Sequence, residues 1–486
     1  MNLAAVIEPH PDEAVALVNR GQPTTYGELR ERVGQLRGAL AELGLAHGDR
    51  VAILCGNNGH FVTSYLAILG AGLVAVPLNP LSPSREVQRE LSAVGVRAVI
   101  VGPAGQASLS GIDPSEVPQL EHRIFADDLP SAEPVPIVER DASDLAVLIF
   151  TSGTAGSPKA AMLTHGNLLS NLEQMQAHAG RAQNALDVTL GVLPLFHIFG
   201  LNVVLGVALY VGSRVVLIER FDPVSALEAI TRHGVTIVPG APAMWTTWAA
   251  SPEATREAFA TVRLAASGAA KLALEVAEQC EARFGVTISE GYGLTEASPV
   301  VTTAVGASSK PGSIGQPLPG VKVRLVDSDN DDVLVGDAGE IWVQGPNVFA
   351  GYWNDADATA RALTPDGWLR TGDIAVVDDD GALFLVDRAK DLVIVSGFNV
   401  YPAEVEDVIL EHPSIDGCAV VGVPHPHSGE SVKAYVVVAD GKFVEEDSLI
   451  AFCAERLARY KCPDKVMFVD ELPTGLGGKI LRRALR

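Results

Sequence analysis

Leu145-Ala146-Val147-Leu148-Ile149-Phe150 runs straight into Thr151-Ser152-Gly153-Thr154-Ala155-Gly156-Ser157-Pro158-Lys159, and a helix is signalled from Thr164. The apolar run reads as a buried strand and the stretch from Thr164 as a helix, so a small-residue loop joins the two. Strand, loop and helix in that order are the unit from which helix-flanked parallel sheets are built. The same alternation extends upstream. Leu29 to Leu43 has apolar residues at helical spacing, Val51 to Cys55 reads as a strand, His60 to Ala71 as a helix and Leu73 to Leu78 as the next strand. Downstream the alternation continues to about residue 300. The expected fold class is therefore α/β, with a large N-terminal domain of parallel sheets and flanking helices.

The texture changes after about residue 310. Short strand-like runs at Val321–Val326, Gly339–Val343, Ile374–Val377 and Ala382–Val386 are punctuated by Gly and Asp, which predicts an antiparallel, barrel-like β section. From Leu392 the order is strand, helix (Ala403–Glu411), strands (Cys418–Gly422 and Val432–Val438) and helix (Glu446–Arg459), a small α+β unit.

Composition narrows the function. With 486 residues and 48% hydrophobic side chains, the chain is long enough for two to four folded units. Its formal net charge of −23 opposes nucleic-acid binding, which needs a basic footprint, and requires any polyphosphate ligand to be held by local donors. The five cysteines, Cys55, Cys280, Cys418, Cys453 and Cys462, show no paired spacing. A reducing, cytoplasmic compartment is expected. The opening MNLAAVIEPHPDEA lacks the basic and apolar regions of a signal peptide, and the longest apolar stretch, Val203 to Val211, is too short to span a bilayer. At most peripheral membrane contact is expected.

Four segments carry chemistry. In the loop 151–159, inward-turned N–H groups, hydroxyls and a lysine suit a phosphate cradle, although the spacing is not that of a P-loop. In Gly291-Tyr292-Gly293-Leu294-Thr295-Glu296, a ring between glycines can stack on a flat base and Glu296 offers a hard oxygen to magnesium; a plain Gly-rich hairpin is the alternative. Arg370-Thr371-Gly372-Asp373 and Asp387-Arg388-Ala389-Lys390-Asp391 could hold ribose hydroxyls and a phosphate, or form only surface ion pairs. Pro473-Thr474-Gly475-Leu476-Gly477-Gly478-Lys479 sets a lysine on a glycine loop, or begins a basic tail. The hydrolase signature GxSxG is absent.

Taken together, TSGTAGSPK, LPLFHIFG, GYGLTE, RTGD, DRAKDLVIVSGFNVYPAEVE and GGKILRR resemble, in order and spacing, the acyl-adenylate-forming superfamily, and the resemblance covers essentially the whole chain. It implies an AMP-forming acid–thiol ligase that joins a carboxylic acid to ATP as acyl-AMP and passes the acyl group to coenzyme A. It implies an N-terminal domain over 1–389 and a mobile C-terminal domain over 390–486, hinged at Lys390. Thr151, Ser152, Gly153, Thr154 and Lys159 would meet the phosphates. Gly291, Tyr292 and Gly293 would border the adenine, Thr295 the α-phosphate, and Glu296 would ligate magnesium. Asp373 and Arg388 would hold the ribose. Lys479 would bridge carboxylate and α-phosphate, and Ser396, Gly397 and Phe398 would line the path of coenzyme A. Ala160 after the loop and Asp387 before Arg388 depart from the commonest family pattern without removing a catalytic group.

The resemblance also bears on the acid. His197 stands where amino-acid-activating members carry the aspartate that pairs an ammonium, and His197, Trp245 and Gly268 are the candidate acyl-binding residues. Trp245, in Pro242-Ala243-Met244-Trp245, either gates an acyl tunnel or is core. A medium- or long-chain fatty acid is the expected substrate, with an aryl or short-chain acid as the alternative. Loading of an acyl carrier protein is the alternative to coenzyme A, and a catalytically dead nucleotide- or lipid-binding regulator is the rival of another class. The context of Lys479 also resembles that of lysines acetylated by an acetyltransferase and restored by a deacetylase.

Overall fold

The computed structural model describes all residues except 152–158, 179–182, 307–309, 389–390, 396–397, 426–428, 458, 475–479 and 486. The chain divides into two compact units, Met1–Lys322 with Val343–Leu369, and Val323–Trp342 with Arg370–Arg486.

The first unit holds two sheets. In the six-stranded one, His122–Phe125, Ala98–Val101, Arg50–Leu54, Val74–Pro77, Leu145–Thr151 and Lys159–Thr164 lie side by side. The first five are parallel and the last is antiparallel. Parallel strands are covered on both faces, so their sequences are continuously apolar rather than alternating; Val51 to Leu54 and Ala98 to Val101 are fully buried. The helix Gly59–Gly70 buries ten of its twelve residues, so it lies inside the unit rather than on its surface. Its neighbour Tyr26–Glu42 starts with a reciprocal cap between Thr25 and Glu28.

The nine-stranded sheet has the order Gln316–Pro317, Val300–Thr303, Ile288–Gly293, Leu264–Ser267, Ile237–Gly240, Val188–Gly191, Arg214–Leu217, Val15–Asn19, Gln22–Thr25. Its interior pairs are parallel, and antiparallel strands close both edges. The apolar stretch 199–211 is a π-helix, Phe199–Gly206, running into the α-helix Val207–Val211.

In the second unit the expected β section is a four-stranded sheet of Lys322–Val326, Gly339–Gln344, Leu369–Val377 and Leu383–Arg388. A further sheet contains Phe398–Val400, Val393–Val395, Gly429–Val438 and Ile415–His425, with Lys465–Phe468 parallel to Gly429–Val438. Val405, Ile409, Val420, Val432, Leu449 and Cys453 share its core. The helix expected over Glu446–Arg459 stops at Ala454, beyond which the Arg456 N–H closes a tighter turn onto the Cys453 carbonyl three residues back. Among the described residues no helix is long and apolar enough to cross a membrane.

Candidate active site

Strand Leu145–Thr151 returns as Lys159–Thr164, with Thr151 opposite Lys159 at the end of the ladder. Residues 152–158 are therefore the connection of a hairpin at the C-terminal end of a parallel strand, where ligands of open α/β sheets bind. Thr164 then caps the helix His165–Ala177, reciprocally with Asn167. Of the phosphate-binding candidates, Thr151 and Lys159 frame this hairpin, and Ser152, Gly153 and Thr154 lie outside the described residues. Ala160 is an ordinary buried strand residue opposite Phe150.

The second motif is a hairpin. Ile288–Gly293 turns through the 3-10 segment Thr295–Ala297 into Val300–Thr303, pairing Gly291 with Thr303 and Tyr292 with Thr302. Gly293 is required sterically: a Cβ there would stand 2.2 Å from the Pro299 carbonyl oxygen. Tyr292 is buried, whereas Thr295 and Glu296 are half-buried. Three buried asparagines hold the turn from outside. Asn202 donates to the Ser298 carbonyl at 2.8 Å, Asn347 to that of Ala297 at 2.8 Å, and Asn171 to that of Val300 at 2.8 Å. Such bonds restore partners to backbone groups that would otherwise be buried unpaired.

One oxygen of the Glu296 carboxylate accepts the Tyr352 hydroxyl at 2.6 Å, and the Lys159 ammonium lies 5.1 Å from the centre of the Tyr352 ring. Burial first, and then the Glu296 charge, push the Tyr352 phenol well above its ordinary pKa, so it is a proton donor at neutral pH. Three segments spread over about 190 residues of chain thus meet at one point. Glu296 presents a hard oxygen of the kind magnesium takes, and no group of three or more metal-capable side chains occurs among the described residues. The donor set therefore fits an ion completed by phosphate oxygens.

His197 lies in the loop before the π-helix, its N–H bonded to the Pro194 carbonyl at 3.1 Å. Asn57 holds this loop by donating to Leu193 at 2.8 Å and accepting from Leu195 at 2.9 Å. The imidazole is open to solvent, yet desolvation by surrounding protein lowers its pKa. The lowered pKa keeps the ring neutral at pH 7. Gly268 faces the Phe199 ring so closely that a Cβ would stand 2.9 Å from Cε1. Trp245 is fully buried; its indole N–H donates to Ala266 at 3.3 Å, and its ring meets Trp248 edge-on at 5.3 Å. In this conformation Trp245 packs as core.

In the second unit, Asp373 and Arg388 face each other across adjacent strands. Within the strand Leu369–Val377, the backbone before Asp373 is fixed by the Gly372 N–H bonded to Glu340 at 2.9 Å, and by the Thr371 hydroxyl bonded to the Ile341 carbonyl at 2.7 Å. Gly372 has φ +71°, which explains the glycine in Arg-Thr-Gly-Asp. Arg370 lies over the Trp342 ring. Lys390, Ser396, Gly397 and Lys479 lie outside the described residues; Phe398 opens the strand paired with Val393–Val395. Thr474 and Ile480 form an antiparallel bridge.

Tyr352 and the asparagines were not singled out by the sequence reading. Asn202 leaves one trace, a lone amide inside the apolar run 199–211 that must find a buried partner. Tyr352 leaves none, because its meaning depends on partners 56 and 193 residues away.

Comparison with known proteins agrees with this geometry. Residues 3–353 match the AMP-binding enzyme family and residues 404–479 match the AMP-binding enzyme C-terminal domain. The chain is 37% identical to a long-chain-fatty-acid–CoA ligase of Yersinia pestis, over 97% of this chain and 91% of the relative. It is 38% identical to a feruloyl-CoA synthase of an Amycolatopsis species, over 99% and 96%. The crystal structure of ATP-bound MatB from Rhodopseudomonas palustris superposes with a TM-score of 0.93 at 33% identity, covering 100% of this chain and 98% of that one. A phosphate-loop hairpin, a turn presenting Glu296 and a matched C-terminal domain thus have one common explanation: the chain belongs to the AMP-binding enzyme family of acyl-adenylate-forming proteins.

Proposed function

We propose that this enzyme, an AMP-forming acid–thiol ligase by family, activates a medium- or long-chain fatty acid and transfers it to coenzyme A. The observation that carries the substrate reading is His197, an imidazole kept neutral by desolvation, two residues before Phe199, whose ring packs on Gly268. An amino-acid substrate would bring an ammonium to a position with no carboxylate, and an unpaired charge in a closed site costs several kcal/mol. An uncharged tail carries no such penalty. An aryl acid shares this property and is the second reading, favoured by the likeness to a feruloyl-CoA synthase.

In the first half-reaction the carboxylate oxygen attacks the α-phosphorus, the bond to the β-phosphate oxygen breaks, and pyrophosphate leaves. Such a displacement needs positioning and charge neutralisation more than covalent help. The hairpin bounded by Thr151 and Lys159 holds the outgoing phosphates, Thr295 meets the α-phosphate, and Tyr292 with its flanking glycines borders the base. Asp373 and Arg388 hold the ribose. Lys479 meets the charge that develops as the carboxylate attacks. Glu296 would hold magnesium, which when bound would supply neutralisation of the leaving pyrophosphate's charge. In the second half-reaction the thiol sulfur of coenzyme A attacks the acyl carbon and AMP leaves, with Ser396, Gly397 and Phe398 along the thiol's path.

Pyrophosphate release with ATP and a panel of fatty acids, ferulate and free amino acids tests this reading, with coenzyme A and holo-carrier protein compared as acceptors. Fatty acids should give the highest kcat/KM and coenzyme A the faster transfer. Amino-acid turnover equal to that of the best fatty acid would overturn the substrate assignment, and exclusive transfer to carrier protein would overturn the acceptor.

A further inference from the structure

Tyr352 is constrained at both backbone and side chain. Its segment adds to the hairpin that carries the phosphate loop. Ala161 and Tyr352 form an antiparallel bridge, the Met162 N–H donates to Gly351 at 2.9 Å, and the Trp353 N–H donates to Ala160 at 2.8 Å. The same segment is tied to the turn bearing Glu296, because the Phe349 N–H donates to the Glu296 carbonyl at 2.8 Å. The Tyr352 N–H is itself held by Thr359 Oγ1 at 2.9 Å. A phenol on this backbone delivers its single O–H to one fixed place, and Glu296 Oε1 accepts it at 2.6 Å. Lys159, at the other end of the loop, rests over the face of the same ring.

We propose that Tyr352 is a positioning residue for the divalent cation that accompanies ATP: its hydroxyl fixes one oxygen of Glu296 so that the other is held for the ion, and its ring places the Lys159 ammonium beside the phosphates. The proposal rests on the reading of Glu296 as a cation ligand given above. A free carboxylate rotates about its terminal torsion, and each rotation carries the ligating oxygen away from the ion. One hydrogen bond to the other oxygen removes that freedom before the ion arrives. Partners of this kind, which bond a ligating group rather than the metal, typically change metal affinity by about 10–100-fold. The ring contact acts separately, through attraction of the ammonium to the π face, so two substitutions divide the roles. Tyr352→Phe keeps the ring and loses the hydroxyl; Tyr352→Leu loses both.

The test is equilibrium binding of ATP to the full chain without any acid, with magnesium and again with a chelator. The ratio of the two affinities measures the coupling to the cation, which a general loss of structure would not move selectively. Tyr352→Phe should reduce that ratio about tenfold while its melting temperature stays near that of the parent. Glu296→Gln should abolish the ratio. Tyr352→Leu should also weaken metal-free ATP, through Lys159. A parental ratio in Tyr352→Phe, with the ratio lost in Glu296→Gln, would overturn the role of the hydroxyl. Equal metal-free affinities in the Phe and Leu variants would overturn the role of the ring. A parental ratio in Glu296→Gln would show that Glu296 is not the cation ligand, and the proposal would fall with that reading.

Discussion

Glu90 sits against an apolar cluster that includes Val87, Leu91 and Val94, and its Oε2 has no hydrogen-bond partner among the described residues. Burial, with Glu86 adding to it, raises its pKa from 4.5 to about 8. A folded-state pKa above the unfolded value means that the folded state holds the proton more tightly. Stability from this group is therefore complete below about pH 4.5 and declines as pH rises toward 8. Glu90→Gln keeps the shape of the neutral acid and cannot ionise. It should melt close to the parent at pH 4.5 and above it at pH 8, with a flatter profile between; parallel melting profiles would show that Glu90 does not titrate in this interval. Single residues also mark where sequence reading ran out. Glu296 was legible because its neighbours form a compact motif, whereas Tyr352, whose hydroxyl meets it, belongs to a segment 56 residues away that carries no pattern of its own. Glu90 looks like any helical surface acid until the packing around it is known.

Elements were legible where local patterns and tertiary environment agreed. The strand at 145 and the helix signalled from Thr164 lie where expected, because a buried apolar run and a helical pattern are local signals, but the loop does not join them directly: Lys159–Thr164 is a further strand that returns antiparallel to the first, and its pairing is not written in its own sequence. The edge hairpin Val15–Asn19 and Gln22–Thr25 could not be placed, since its strand pairs with Arg214–Leu217 about 200 residues away. The π-helix at Phe199–Gly206 also escaped, because its apolar composition is equally that of a buried α-helix. The helix Pro242–Ala250 is the element on which acyl selection can be tested. Trp245 stands in an aromatic cluster with Trp248 and Phe259, and a Cβ on Gly240 would approach its indole nitrogen to 2.8 Å. Trp245→Ala should cost roughly 3–5 kcal/mol through the cavity it leaves. The packing predicts an unchanged rank order of acids by length. A melting curve beside a chain-length profile decides the matter, because a reordered profile at modest loss of stability would make Trp245 a gate.

At the scale of the whole molecule, the proposed chemistry asks one enzyme to serve two reactions that need different groups at the same acyl carbon. In the smaller unit Thr474 and Ile480 form a bridge, and the Arg482 guanidinium grips both oxygens of Glu406, at 3.2 and 2.6 Å. Arg482 also lies 3.7 Å from Asp391, the neighbour of the proposed hinge Lys390. If, as proposed, the chain from Lys390 onward turns between the two half-reactions, Lys479 and Lys390 should fail in different ones. Lys479 supplies charge only while the carboxylate attacks phosphorus, and loss of one such group costs roughly 3–4 kcal/mol, about a hundred- to thousand-fold in rate. Lys479→Ala should therefore lose acyl-AMP formation and still convert supplied acyl-AMP to thioester. Lys390 should act through its backbone, since hinge residues absorb large φ/ψ changes and proline locks φ near about −65°. Lys390→Pro should retain adenylation and lose thioester formation, and Lys390→Ala should be mild in both. Pyrophosphate release and thioester formation from supplied acyl-AMP, measured for each variant, separate the outcomes. Loss of the same half-reaction in Lys479→Ala and Lys390→Pro would mean that one arrangement of the two units performs both steps.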